Sequence, residues 1–146
     1  MTVGYSGTPL AKKLGIKDGM SVVTVEAPEN YRDLVDPLPP NVVLEQVEEG
    51  TLATARVSAL EADIIHLFTN TRDGLFSGLS DARSLIKQDG MIWVSWYKKA
   101  AKLPTEITED TVREAAFPLG LVDVKVCAVD DKWSGLKLVI RRENRI

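Results

Sequence analysis

Short runs of strand-forming residues alternate along this chain with helix signals, except at the end, where two such runs follow each other directly. Six runs have the β-branched or apolar composition of buried strands, at 20–25, 42–47, 63–68, 91–96, 122–129 and 136–141. Only residues 130–135 separate the last two runs, and so short a connection demands an antiparallel pair. The alternation before them predicts right-handed crossovers and a mostly parallel sheet.

Helix caps and breakers fill the spaces between these runs. Thr8 and Thr108 are N-cap residues for two predicted helices, and another helix is predicted to start at Thr71. Gly15 is expected to end the helix that starts at Thr8, and Gly90 to close the turn after the helix that starts at Thr71. Two further helices are predicted over 29–35 and 48–60. The order α-β-α-β-α-β-α-β-α-β-β predicts a single three-layer α/β domain spanning residues 1–146, with the sheet ending in an antiparallel hairpin.

Composition excludes several classes of protein. The net charge is −3, with 6 basic and 11 acidic residues in 1–73 against 12 and 10 in 74–146. This balance argues against a nucleic-acid binder but leaves room for an anion site in the second half. Cys127 is the single cysteine and His66 the single histidine, so neither a disulfide nor a metal site is expected. The sequence shows no apolar leader or membrane span, so a cytoplasmic protein is expected.

Three phrases resemble the methyltransferase-like variant of the doubly wound, Rossmann-like fold. They are LGIKDGM at 14–20, LIKQDGMI at 85–92 and LGLVDV at 119–124, each placed before a predicted strand. The resemblance implies a sheet one strand–helix unit short of the full fold. The whole chain also resembles a small uncharacterised bacterial family, a domain of unknown function, through GYSGTPLA at 4–11 and WSGLK at 133–137. That second resemblance implies a fold and no activity.

The loop after the first predicted strand departs from the methyltransferase pattern. Members that bind S-adenosylmethionine have a glycine-rich turn there, where the backbone approaches the ligand closely. This chain has EAPENY at 26–31, where Glu26 could stand for the acidic residue that opens the motif. The glycines are absent, however, and Pro28 removes a backbone N–H donor. Glu48 and Glu49, near the end of the second strand, could hold a ribose hydroxyl or simply be solvated. The departure favours a domain without cofactor, with S-adenosylmethionine as the alternative.

The segment after the fourth predicted strand is the first candidate ligand site. Ligands in open α/β sheets bind beyond the carboxyl ends of strands. Trp96, Tyr97, Lys98 and Lys99 stand there, and their ammonium groups and rings could hold a phosphate or carboxylate and stack a planar ring. The competing interpretation makes Trp96 a core residue and the lysines a solvated loop.

The turn of the closing hairpin is the second candidate, as a partner-binding site. Trp133, Ser134 and Lys137 combine a large aromatic ring with polar groups, although Trp133 could equally pack on the flank of the domain beside a Ser-Gly turn. His66 lies within the apolar third run, which favours a buried, hydrogen-bonded histidine over a catalytic base. Cys127 is interpreted as an inert core residue.

Three functions remain open from the sequence, which does not decide whether the chain is an enzyme. The favoured one is a non-catalytic methyltransferase-like domain that binds an anionic small molecule or a protein. The alternatives are an S-adenosylmethionine-dependent methyltransferase with an atypical loop and a structural module that dimerises through its hairpin.

Overall fold

The computed structural model of the chain describes residues 9–48, 50, 52 and 62–146, which form a six-stranded sheet flanked by helices. The strands are β1 Ser21–Val25, β2 Val43–Val47, β3 Ala62–Phe68, β4 Ile86–Tyr97, β5 Leu121–Ala128 and β6 Trp133–Ile140. The helices are α1 Leu10–Leu14, α2 Tyr31–Leu34, α3 Arg72–Leu85 and α4 Glu109–Ala116. The predicted N-cap Thr8 and the helix predicted over 48–60 lie outside these residues, apart from positions 48, 50 and 52.

The strand order is β2-β1-β3-β4-β6-β5, and it confirms the predicted architecture. The first four strands are mutually parallel, while β6 runs antiparallel to both β4 and β5. β2 lies on one side of β1 in the sheet, and the next strand along the chain, β3, lies on the other side of β1. The topological switch point, where ligands of open α/β sheets bind, therefore lies between the carboxyl ends of β1 and β3.

Each face of the sheet is covered by its own apolar cluster. Leu75 and Leu79 of α3 and Val112 of α4 pack with the sheet on one face, here called the α3 face. Leu14 of α1 and Tyr31 of α2 pack on the opposite face, here called the α1 face. The predicted three-layer arrangement is therefore present. No helix in the described part of the chain is long and apolar enough to cross a membrane.

The predicted start at Thr71 and the predicted end at Gly15 are confirmed, and the predicted turn at Gly90 is not. Thr71 Oγ1 accepts a hydrogen bond from the Gly74 backbone N–H at 3.0 Å, and Gly15 ends α1 with φ of 84°. The prediction that Gly90 closes a turn after α3 is wrong, because β4 begins directly after α3 at Ile86 and Gly90 lies inside it. A Cβ on Gly90 would lie 2.9 Å from the Asp63 carbonyl oxygen. The absence of a side chain at Gly90 therefore allows β3 and β4 to lie close together at this position.

The closing hairpin is tighter than predicted. Its second strand begins at Trp133, not at residue 136, so Trp133 and Ser134 belong to β6 and not to a turn. Asp130 Oδ1 accepts hydrogen bonds from the backbone N–H groups of Lys132 and Trp133, each at 2.8 Å. This side-chain turn reverses the chain within the four residues 129–132, so Ser134 and Gly135 can join the sheet.

Candidate functional site

The loop after β1 makes its sharp turn without glycine. Glu26 has φ of 55°, in the left-handed region that glycine adopts most readily, and its backbone N–H donates to the Val47 carbonyl oxygen at 3.0 Å. The Pro28 carbonyl oxygen accepts from the Tyr31 backbone N–H at 3.0 Å. Glu26 is exposed and Pro28 half-buried. The loop is thus tied to β2 at one end and to α2 at the other.

The predicted site after β4 is divided between the two faces of the sheet. Trp96 is only 7% exposed and belongs to the core of the α3 face, as the competing interpretation held. Tyr97 follows it and points to the α1 face, because successive strand residues alternate. Lys98 is half-buried, and its backbone N–H donates to the Lys132 carbonyl oxygen at 2.8 Å, while Lys99 is exposed.

Trp133 of β6 joins Tyr97, so the two sites predicted separately meet at one place. The residues are register partners on adjacent strands, and their ring centroids lie 4.5 Å apart with an interplanar angle of 40°. The Trp133 ring also meets the buried Phe68 ring edge-on at 5.0 Å. We call Phe68, Tyr97 and Trp133 the aromatic ledge. Its two outer rings are half-buried and lie at the carboxyl end of β4.

The other two residues predicted for partner binding do not join the ledge. Ser134 pairs with Trp96 and therefore faces the α3 side of the sheet. Lys137 shares the α1 face with Trp133, but it lies four residues farther along β6, opposite Trp93. The three residues therefore do not form one surface.

A buried polar network lies beneath the loop that follows β1. The Tyr31 hydroxyl lies 2.9 Å from His66 Nδ1, and Ser95 Oγ lies 2.7 Å from His66 Nε2, so one ring nitrogen donates and the other accepts. All three side chains are fully buried. Burial lowers the pKa of His66 to about 3, which keeps the imidazole neutral. The prediction of a buried, hydrogen-bonded histidine is confirmed.

Sequence reasoning did not identify the partners of His66. Tyr31 is 35 residues and Ser95 29 residues away along the chain, and neither stands in a motif. Tyr31 and Ser95 reach His66 only because of the register between β3 and β4 and the position of α2 on the sheet. Thr24, the register partner of His66 on β1, has a buried hydroxyl without a hydrogen-bond partner among the described residues.

The end of β3 is already held by protein groups. Asn70 Oδ1 accepts from the Tyr97 backbone N–H at 2.8 Å, and Glu106 Oε1 accepts from the Arg72 backbone N–H at 2.8 Å. The Asn70 carbonyl oxygen accepts from the Glu106 backbone N–H at 2.8 Å. A carboxylate thus occupies the first turn of α3, where an anionic ligand would otherwise find free donors.

A cavity of about 240 Å³ lies on the α3 face of the switch point. Val25 and Leu67 form its apolar floor, and Asp73, Ser77 and Asp81 of α3 line it. Its acceptor groups suit hydroxyl groups of a ligand and disfavour a phosphate. Among the ranges that the structure describes, no group of three or more His, Cys, Asp or Glu side chains could hold a metal ion.

The comparisons with known proteins agree with this architecture. The family model described as "Protein of unknown function (DUF3052)" matches residues 11–142. The chain belongs to that family. Among curated proteins, none matches the sequence. The family membership confirms the resemblance to a domain of unknown function, and it assigns no chemistry.

Solved structures similar to this chain include S-adenosylmethionine-dependent methyltransferases. One from Aquifex aeolicus has a TM-score of 0.62 at 14% identity, covering 90% of this chain and 87% of that one. A TehB-like enzyme from Corynebacterium glutamicum has a TM-score of 0.59 at 12% identity, with 94% and 90% covered. Aeropyrum pernix fibrillarin, solved with natively bound S-adenosyl-L-methionine, has a TM-score of 0.54 at 15% identity, with 93% and 70% covered. These likenesses show the methyltransferase-like fold alone.

Proposed function

We propose that this chain is a binding domain of methyltransferase-like fold that holds an anionic small molecule with a planar ring, and that it does not transfer methyl groups. The observation that carries the proposal is the Tyr97–Trp133 ring pair, which lies beside Lys98 at the carboxyl end of β4. This edge of an open α/β sheet is where ligands bind.

The ledge provides the two kinds of contact that such a ligand needs. A planar ring can stack on Trp133 or Tyr97, and stacking of a base on an aromatic side chain contributes about 1–3 kcal/mol. Lys98 and Lys132 are joined through their backbones, and Lys99 is exposed next to them. Their ammonium groups supply positive charge for a phosphate or carboxylate on the same molecule.

The loop after β1 argues against methyl transfer. Glycines after the first strand let the backbone approach a cofactor, whereas Pro28 lacks a donor and Glu29 adds an exposed carboxylate. The loop is also fixed by hydrogen bonds within the protein, from Glu26 to Val47 and from Tyr31 to Pro28. We infer that the edge is used for binding without the standard cofactor.

The test is a titration with adenosine 5′-monophosphate followed by tryptophan fluorescence. Of the three tryptophans, Trp93 and Trp96 are buried and Trp133 is half-buried, so quenching reports mainly on the ledge. Adenosine is the comparison ligand because it has the ring without the phosphate. We expect saturable quenching by the nucleotide and weaker binding of adenosine.

Two variants separate the contacts. Lys98→Ala with Lys99→Ala should abolish nucleotide binding and leave the melting temperature nearly unchanged, and Trp133→Leu should abolish the quenching. Lys102→Asn is the control, because it removes one exposed positive charge nearby while asparagine tolerates the left-handed φ of 55° at that position. Unaltered nucleotide affinity in the double lysine variant contradicts the proposal.

An S-adenosylmethionine-dependent methyltransferase with an atypical loop is the second candidate. It is supported by the methyltransferases among the similar structures and by the left-handed turn at Glu26, which keeps the backbone shape that glycine would give. S-adenosylhomocysteine at 100 times its dissociation constant would then stabilise the fold by about 2.7 kcal/mol. Native mass spectrometry of the purified protein, before and after addition of S-adenosylmethionine, decides whether the cofactor binds.

A dimerisation module is the third candidate, and the edge strand β5 supports it. Val124 and Val126 on this strand are 53% and 50% exposed, which is unusual for valine in a sheet. Light scattering on the wild-type chain tests this function directly, because a monomer at high concentration excludes it. In a dimer, Val126→Lys should dissociate the subunits.

A further inference from the structure

The closing hairpin presents lysines opposite each other on the α1 face of the sheet. Lys125 of β5 and Lys137 of β6 are register partners, so their side chains leave the sheet on the same side. Cys127 and Gly135 form the next register pair on the same face, and Cys127 packs against the apolar cluster of the α1 face. Two ammonium groups at directly opposed strand positions repel each other, which destabilises the pair unless an anion lies between or above them.

Helix α1 brings further positive charge to the same place. The Trp93 indole N–H donates to the Leu14 carbonyl oxygen at 2.9 Å, which holds the end of α1 over β4 beside Lys137, the register partner of Trp93. Lys13 lies in the last turn of α1, and Lys17 follows three residues after its end. Their charges reach the hairpin, since Lys17 lowers the pKa of Lys137 and Lys13 lowers that of Cys127.

Two of these lysines, Lys13 and Lys137, are half-buried, whereas Lys17 and Lys125 are exposed. Lys137 is half-buried, and burial, followed by Lys125 and Lys17, lowers its pKa from the ordinary value. Within the described ranges, Lys17, Lys125 and Lys137 form no ion pair with a carboxylate. Burial raises the pKa of the Cys127 thiol, and the charges of Lys125 and Lys13 lower it in part. The surface is therefore a concentration of positive charge in a chain whose net charge is −3.

We propose that Lys13, Lys17, Lys125 and Lys137 form a second binding site, for a compact anion with two or more phosphate groups, of which pyrophosphate is the simplest. Lys125 and Lys137 are one register pair, and Lys13 and Lys17 lie at the end of one short helix, so the four lysines match one small multivalent anion. The whole chain has a pI of about 5.2, so a long polyanion would extend beyond the lysines and be repelled by acidic residues elsewhere on the protein.

This site is separate from the aromatic ledge. Gly135 lies between Trp133 and Lys137 on β6, and a Cβ there would lie 3.3 Å from the Trp93 ring and 3.4 Å from Val129, so the floor between the two places is packed. The inference goes beyond the proposed function, and a ledge that fails to bind nucleotide leaves it intact.

The first test is thermal unfolding and calorimetry with sodium pyrophosphate, with sodium chloride at equal ionic strength as the reference. We expect a saturable rise in melting temperature and weaker effects of monophosphate. Lys137→Met, which keeps the apolar stem, and Lys125→Gln should each weaken pyrophosphate binding about tenfold or more, since each removes a charge-assisted contact. Lys102→Asn, which removes an exposed lysine outside the cluster, should bind as the wild type does.

The second test uses the single cysteine as a local reporter. The rate at which iodoacetamide, a neutral reagent, modifies Cys127 follows the thiolate fraction, which neighbouring lysines increase. Bound pyrophosphate cancels that charge and covers the thiol, so the rate measured by intact mass should fall at least about threefold. Adenosine 5′-monophosphate bound at the ledge should leave the rate unchanged.

Three results would overturn the proposal. One is stabilisation by pyrophosphate no greater than by the matched salt, and another is undiminished affinity in both Lys137→Met and Lys125→Gln. The third is binding of an acidic peptide or an oligonucleotide by the cluster without binding of pyrophosphate, which would make the surface a macromolecular interface.

Discussion

The neutral His66 makes the stability of this fold depend on pH in a predictable direction. Its side chain is fully buried between Tyr31 and Ser95, and burial lowers its pKa from 6.5 to about 3 in the folded state. The unfolded chain therefore binds the extra proton more readily. The contribution of His66 to stability is complete above about pH 6.5 and is lost progressively as the pH falls towards 3.

The size of the effect follows from the separation of the two pKa values. Because one pKa unit corresponds to about 1.4 kcal/mol, acidification from pH 8 to pH 5 should cost about 2 kcal/mol through His66 alone. Full protonation of the unfolded chain near pH 3 would raise this to about 5 kcal/mol. A domain of ordinary stability, about 5–15 kcal/mol, would lose a large share of it.

Two measurements check this reasoning. Urea unfolding of the wild type and His66→Gln between pH 8 and pH 5 isolates the histidine, because the carboxylates titrate in both proteins and glutamine does not. Wild-type stability should fall more steeply by about 2 kcal/mol. The ring proton resonance of the single histidine should also stay constant down to about pH 4.5. A titration midpoint near 6.5, or parallel pH profiles of the two proteins, would refute the buried neutral state; the histidine titration uses the wild type and decides the point where His66→Gln does not fold.

Three further changes test local features of the fold. Gly90→Ala should destabilise by about 1–3 kcal/mol in urea unfolding, because the new Cβ would approach the Asp63 carbonyl oxygen to 2.9 Å; an unchanged midpoint would mean that the strands can separate. Thr108→Ala should cost about 1 kcal/mol, because Thr108 and Thr111 cap α4 reciprocally, and Thr108→Ser should restore it. Glu26→Gly should raise the free energy of unfolding by up to about 1 kcal/mol, because a left-handed φ strains glutamate; a loss would show that the Glu26 side chain contributes more than its strained backbone costs.

The fold was predictable because its signals are local and repeated. Alternating strand and helix patterns imply a parallel sheet whatever the residues in the loops, and a connection of a few residues between the last strands implies antiparallel pairing. The boundaries were less predictable where tertiary contacts decide them. Gly90 is typical of a turn after a helix in sequence, but its close approach to the Asp63 backbone depends on a neighbouring strand that the sequence does not place.

The residues of the candidate site could be predicted from the sequence, but the face of the sheet on which each one lies could not. Trp96 and Tyr97 are adjacent aromatic residues, and only the register of β4 sends the first into the core and the second to the ledge. Trp133 meets Tyr97 because the turn held by Asp130 shortens the hairpin connection from the six predicted residues, 130–135, to four, 129–132. Similarly, Lys125 and Lys137 have no relation in sequence, and the pairing of β5 with β6 makes them neighbours.

The buried histidine network explains how the loop after β1 keeps its shape without glycine or a bound cofactor. Tyr31 follows that loop directly and opens α2, a helix of only four residues that cannot hold a position alone. Its hydroxyl bonds to His66, which bonds to Ser95, so the loop is anchored across β3 to β4.

A cofactor-dependent loop would become ordered when its ligand binds, whereas the Tyr31 anchor fixes this loop beforehand. The edge beside it can therefore be preorganised for a ligand, which lowers the entropic cost of binding. The same anchor depends on a neutral imidazole. Folded His66 keeps a pKa of about 3, so stability lost above that pH is lost through the unfolded chain, and the Tyr31 anchor and nucleotide affinity at the ledge should not change through His66 until the pH nears 3.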